Sequence, residues 1–206
     1  QGASDTVMFR LEVIHVPRPH LTINVIQNNA FTHYFDVIIT DTLQKARNVI
    51  LAIENNRVHL DTLDEFTYLG HTLFQDPGIY RIEVFADALV GDTTVRRSVG
   101  LALARTLGRW NGSSPDGLFN VTGETGAVNM DQSILVVDST MFKKGYTGSY
   151  KMGDEGRWFS KPVEVSLASY DDEQALYQRN SDNSWTELPS YSQQGRIRAY
   201  TDKMGY

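Results

Sequence analysis

Five histidines and two knots of acidic residues are where this 206-residue chain could hold a metal ion or move a proton. The histidines are His15, His20, His33, His59 and His71. A zinc enzyme sets such ligands at short helix or strand spacings, as in His-Glu-x-x-His, beside an acidic partner. That spacing does not occur here. His59 and Asp61, two residues apart, would share one face of a strand, and His33, beside Tyr34 and Phe35, reads as a strand-edge residue. One acidic knot is Asp61, Asp64 and Glu65; the other is Asp171, Asp172 and Glu173. Hard cations take several carboxylate and carbonyl oxygens, so calcium is the ion that either knot would hold. The plainer reading places both at turns, where Asp bonds its own backbone. Each knot is local in sequence, whereas acid–base hydrolysis needs carboxylates facing each other across a cleft.

Other catalytic signatures are missing from the sequence. There is no Gly-x-Ser-x-Gly elbow and no phosphate loop, and Gly148-Ser149-Tyr150 has no second glycine to shape an elbow. The absence of cysteine removes disulfides, thiol catalysis and thiolate zinc sites. We expect no enzyme activity from this chain and no cofactor beyond a calcium ion. Aromatic side chains offer a different chemistry, since flat rings stack on sugar faces. Of the 3 Trp and 10 Tyr, Trp110, Trp158 and Tyr150 lie in Gly-rich stretches and are the candidate ligand contacts, forming a carbohydrate-binding platform. Packing between domains is the alternative role for the two tryptophans. Trp185 alternates with Thr186 and Glu187 and is predicted to face the core.

A net charge of −6 and scattered Lys and Arg argue against nucleic acid, which needs clustered cations. No apolar run reaches the roughly 20 residues that span a bilayer. Hydrophobic content of 41% with 21% charged residues is that of a folded domain. Asn111-Gly112-Ser113 and Asn120-Val121-Thr122 fit the N-glycosylation pattern, which matters only in a eukaryotic secretory pathway. Gln1-Gly2-Ala3-Ser4 is no signal peptide, and the chain reads as a segment of a longer protein.

The elements that must position these residues are strands. Apolar side chains recur with period two at Val7–Val13, Leu21–Val25 and Phe31–Thr40, the mark of a half-buried strand. Further strands are predicted at 49–53, 57–60, 65–74, 78–88 and 93–103. Gln75-Asp76-Pro77-Gly78 is a turn in which Pro sets one negative φ and Gly is free to take a positive one. Only Thr42–Ala52 offers a helical turn. At 108–117 the composition shifts to Gly, Ser, Pro and Asn, as at a domain boundary. Beyond it, strands are predicted at 118–121, 126–129, 133–139, 162–166, 174–179, 184–188 and 196–201, with 140–161 irregular. Asn180-Ser181-Asp182-Asn183 carries one carboxylate and reads as a hairpin tip. The fold class is all-β: two antiparallel β-sandwich domains in tandem, 1–107 and 112–206.

Two resemblances follow. Lys161-Pro162-Val163-Glu164-Val165-Ser166-Leu167, then Leu176-Tyr177 and Trp185-Thr186-Glu187-Leu188, then Thr201-Asp202-Lys203-Met204-Gly205-Tyr206, resemble the closing half of ZU5-like modules in large exported bacterial proteins. The stretch from Leu21 to Asn29 and on through Gly78-Ile79-Tyr80-Arg81-Ile82-Glu83-Val84 is similar to immunoglobulin-like modules of secreted subtilase-type peptidases, with Asn29 where those modules carry proline. These resemblances imply an immunoglobulin-like unit over 1–107 and a ZU5-like unit over 112–206. They also imply a secreted or cell-surface location, with a spacing or docking role beside a peptidase or adhesin domain. The partners expected are neighbouring domains of the same chain and a surface protein, or polysaccharide where the aromatic platform acts.

Overall fold

A computed structural model describes residues 18–29, 33–44, 46–87, 91–138, 148–169 and 174–206. The predicted strand at Val7–Val13 and the acidic knot Asp171, Asp172 and Glu173 lie outside these residues. In chain order the strands are β1 (Leu21–Asn29), β2 (Tyr34–Asp41), β3 (Arg47–Ile53), β4 (Asn56–Val58), β5 (Leu60–Thr62), β6 (Thr67–Leu73), β7 (Gly78–Asp87) and β8 (Thr93–Ala104). Then come β9 (Trp110–Ser113), β10 (Phe119–Gly123), β11 (Gln132–Asp138), β12 (Tyr150–Met152) and β13 (Trp158–Ala168). β14 (Leu176–Arg179), β15 (Trp185–Leu188), β16 (Ser190–Gln193) and β17 (Arg196–Lys203) complete the set. Among the described residues there is no helix, and every strand pairing is antiparallel.

Three sheets carry the fold. The first runs β1-β2-β6-β5, the second β12-β11-β8-β7-β3-β4 and the third β16-β17-β13-β10-β9, with β14–β15 a separate hairpin. Period-two burial explains the first sheet. Cross-strand pairing sets Ile23 opposite Ile39 and Val25 opposite Val37 on its inner face. There they meet Leu51, Ile53, Ile82, Val84, Val99 and Leu101 of the second sheet.

The second sheet is covered on both sides where β8 and β11 run. Along β11, Leu135 and Val137 enter the first core while Ile134 and Val136 enter another, built with Val121, Val163, Val165 and Ala199 of the third sheet. β8 divides likewise, Val99 and Leu101 to one side and Ala102 and Ala104 to the other. A strand with two buried faces reads as an unbroken apolar run, which is what residues 134–137 are. The stretch 108–117 therefore separates two cores but not two sheets, since β8 and β11 on either side of it are hydrogen-bonded neighbours.

Of the glycines in that stretch Gly112 serves close packing, whereas Gly108 and Gly117 take positive φ of 87° and 72° with open space around them. β9 crosses β8 so closely that a Cβ at Gly112 would lie 2.5 Å from the Ala102 methyl, and one at Gly100 would overlap the Ser113 carbonyl. Trp110 lies opposite Gly123 and its ring covers that residue, filling the space a side chain would take. The indole is 5% exposed and tilts against Phe159 with centroids 6.1 Å apart. Removing roughly 200 Å² of ring from water is worth about 5 kcal/mol before entropy is counted.

Two local expectations are corrected. Among the described residues of Thr42–Ala52 there is no helical turn. The buried carboxylate of Asp41 accepts hydrogen bonds from the backbone N–H groups of Leu43 (3.2 Å) and Ala46 (2.6 Å), and Gln44 takes φ 56°, so the chain bends and continues as β3. Residues 126–129 are no strand either. Gly126 sits at φ 78° and Ala127 donates to the Glu124 carbonyl at 2.9 Å, closing a turn that still buries Ala127 and Val128.

Candidate functional site

The predicted ligand sets scatter. Asp61 faces His59 at 3.4 Å in an exposed pair, and Asp64 accepts from the Phe66 N–H at 2.7 Å, which holds its carboxyl below the ordinary range. Glu65 is exposed beside them. Among the described residues no three His, Asp or Glu side chains gather where an ion could sit. The histidines likewise go to separate partners. His20 bonds the Thr42 hydroxyl at 3.0 Å, His71 pairs with Asp36 at 2.6 Å, and His33 Nδ1 bonds the Ser133 hydroxyl. The last is a histidine–serine contact, but Ser133 is 2% exposed, which keeps substrate from its oxygen. His15 lies outside the described residues.

The aromatic candidates also part company. Trp110 is buried in the second core, which corrects its reading as a surface contact. Trp158 is 59% exposed, with the Lys203 ammonium 4.8 Å from its ring centre. Tyr150 stacks on Phe119 with centroids 5.1 Å apart and donates to Asp116 Oδ2 at 2.7 Å. Burial, reinforced by the Asp116 carboxylate, pushes the Tyr150 phenol upward. At Asp116 burial alone would raise the acid, yet hydrogen bonds from Ser114, Tyr150 and the Leu118 N–H outweigh it and lower it.

Tyr150 leads to a cleft of about 590 Å³ beside the inner face of the third sheet. The β14–β15 hairpin forms its far wall. Asp182 organises the hairpin tip by accepting from the Ser184 N–H (3.0 Å) and hydroxyl (2.6 Å), and Asn183 takes φ 66°, so the polar tip is a turn. Cross-strand pairing sets Leu176 opposite Leu188 on one hairpin face, and both pack on the second core. Tyr177 opposite Glu187 and Arg179 opposite Trp185 form the other face. Gln178, buried, accepts from the Thr201 hydroxyl at 2.9 Å and ties the hairpin to β17. The chain end closes the third side: Gly205 bridges to Met152, and Arg179 donates its N–H to the Tyr206 carbonyl at 2.9 Å.

Tyr150, Tyr177, Trp185 and Tyr206 all border this cleft, together with Glu187. Trp185 is thus half-buried at a cleft wall rather than in the core. Alternation along a strand reports two faces, and here the hairpin lies over the end of a core with both faces near the same opening. The readable signal was Tyr177 and Trp185 within one hairpin, with Tyr206 just past β17. No protein-family model, curated protein or solved structure matches the chain.

Proposed function

We propose that the chain is a non-catalytic accessory module of a secreted or cell-surface bacterial protein, holding neighbouring parts of that protein in position. One observation carries this reading: β8 and β11 sit side by side in one sheet with both faces buried, so each contributes to both cores. Two sandwich units, 1–107 and 112–206, that share a layer cannot rotate about a flexible linker, which is the property a spacer needs. The resemblance of the two halves to immunoglobulin-like and ZU5-like modules agrees with this role. The loops at the sheet ends supply its contact surface.

Two measurements test it. Calorimetry of the intact chain should give one cooperative transition, with equal calorimetric and van't Hoff enthalpies. Incubation with casein and with chromogenic glycosides should give no turnover. Two separable transitions, or hydrolysis that follows the protein through purification, would each overturn the reading.

A further inference from the structure

We propose that the cleft between the β14–β15 hairpin and the third sheet binds an uncharged saccharide segment of one or two rings. This goes beyond the scaffold role and stands apart from it. Five aromatic residues line the cleft: Phe119, Tyr150, Tyr177, Trp185 and Tyr206. Its volume of about 590 Å³ falls within the range of small-molecule sites, roughly 300–1,000 Å³. Such sites combine apolar walls with a few placed polar groups, and this one has both. Leu176 and Leu188 supply apolar wall, and Glu187 supplies an acceptor in the lining.

The charge arrangement selects an uncharged ligand. The Lys203 ammonium lies over the Trp158 ring. Arg179 is engaged by Glu155 at 3.5 Å and lies 5.4 Å from the centre of the Tyr206 ring. The Lys151 ammonium lies 5.6 Å from the centre of that same ring, so each of these cations is set against an aromatic face, and the Glu187 carboxylate in the lining opposes a phosphate or carboxylate ligand. The Trp185 indole N–H makes no hydrogen bond among the described residues, and the Glu187 carboxylate accepts from the Tyr177 hydroxyl at 2.8 Å while retaining further acceptor capacity. A donor and an acceptor flanked by aromatic rings match a ligand with apolar C–H faces and hydroxyls at its edge, which describes a pyranose.

The test titrates the intact protein with cellobiose, maltose and N,N′-diacetylchitobiose, read by tryptophan fluorescence and saturation-transfer NMR. 1-Anilinonaphthalene-8-sulfonate serves as the apolar probe. At least one disaccharide should give a saturable response. Trp185→Ala and the exposed-site variant Glu187→Ala should each weaken it about tenfold, the scale of one lost aromatic or charged hydrogen-bond contact, whereas Trp158→Ala should leave it unchanged. Melting curves of each variant establish that it is folded. No saturable response to any disaccharide overturns the proposal. So does a response that survives both Trp185→Ala and Glu187→Ala, or binding of the apolar probe alone. Failure of the scaffold reading would appear separately, as a second melting transition or as turnover.

Discussion

Substituting Gly100 by Ala tests whether the second and third sheets meet as closely as the structure requires. The new Cβ would overlap the Ser113 carbonyl oxygen and lie 3.1 Å from its carbon and 3.2 Å from the Val136 carbonyl oxygen. All three are backbone atoms, so no side chain can rotate away and the crossing of β8 with β9 must itself move. Overpacking costs about 1–3 kcal/mol where neighbours can adjust, and the upper end applies here. For a chain of this size each kcal/mol lowers the midpoint by roughly 2–4 °C, so about 3 kcal/mol gives a fall of roughly 6–12 °C. Gly148→Ala is the control, because its nearest neighbour, the Tyr150 ring, would be 3.8 Å away in ordinary contact. Thermal melts by circular dichroism read the midpoint, and amide exchange reads β2 and β13. Because β8 feeds both cores, exchange should quicken in both outer sheets together. A midpoint within 2 °C of the parent, or faster exchange confined to β9 and β10, would refute the shared-layer reasoning.

Trp110→Ala should cost about 3–5 kcal/mol, as for other large core aromatics, and calorimetry should show an intact single transition at a lower midpoint; a loss under 1 kcal/mol would mean the indole is not core. Glu83 accepts from Arg96 and Arg81 at 2.6 and 2.7 Å, and these bonds hold its carboxyl below the ordinary 4.5. A depressed folded-state acid stabilises the fold above that ordinary value and loses the contribution as pH falls through the lower one. Glu83→Gln should therefore melt lower at neutral pH and show a shallower decline below about pH 4.5; parallel melting-versus-pH curves for the two proteins would contradict the pairing.

The strands of the first sheet were legible because their alternation is local: Phe35, Val37 and Ile39 point one way whatever they pack against. Their partners were not. Nothing near Ala104 or Gln132 announces that these two residues face each other in one sheet, since long-range register is decided by which surfaces fit. β9 was hidden for a physical reason. Gly108, Gly112 and Ser113 have a turn-like composition, but Gly112 is there because β8 passes too close for a side chain. The buried carboxylate of Asp41 could not be distinguished from a solvent-facing helix start by type alone. The cleft was half readable. Of its aromatic residues only Tyr150 was a candidate contact, and alternation sent Trp185 inward because it presumes a sheet covered along its whole length, whereas the β14–β15 hairpin overhangs its core.

The double burial of β11 has a consequence for how the strand finds its place. In a sheet with one wet side, sliding by a single position turns oily groups toward water and is rejected at once. Sliding β11 by one would merely exchange Ile134 and Val136 with Leu135 and Val137 between two equally dry interiors. Polarity therefore cannot proofread the middle of this strand. The task falls to its tips, where the Ser133 hydroxyl bonds His33 Nδ1 and Asp138 emerges opposite Tyr150. Those few hydrophilic atoms are the alignment pins of the molecule, and a chain lacking them would be free to settle one notch out of step.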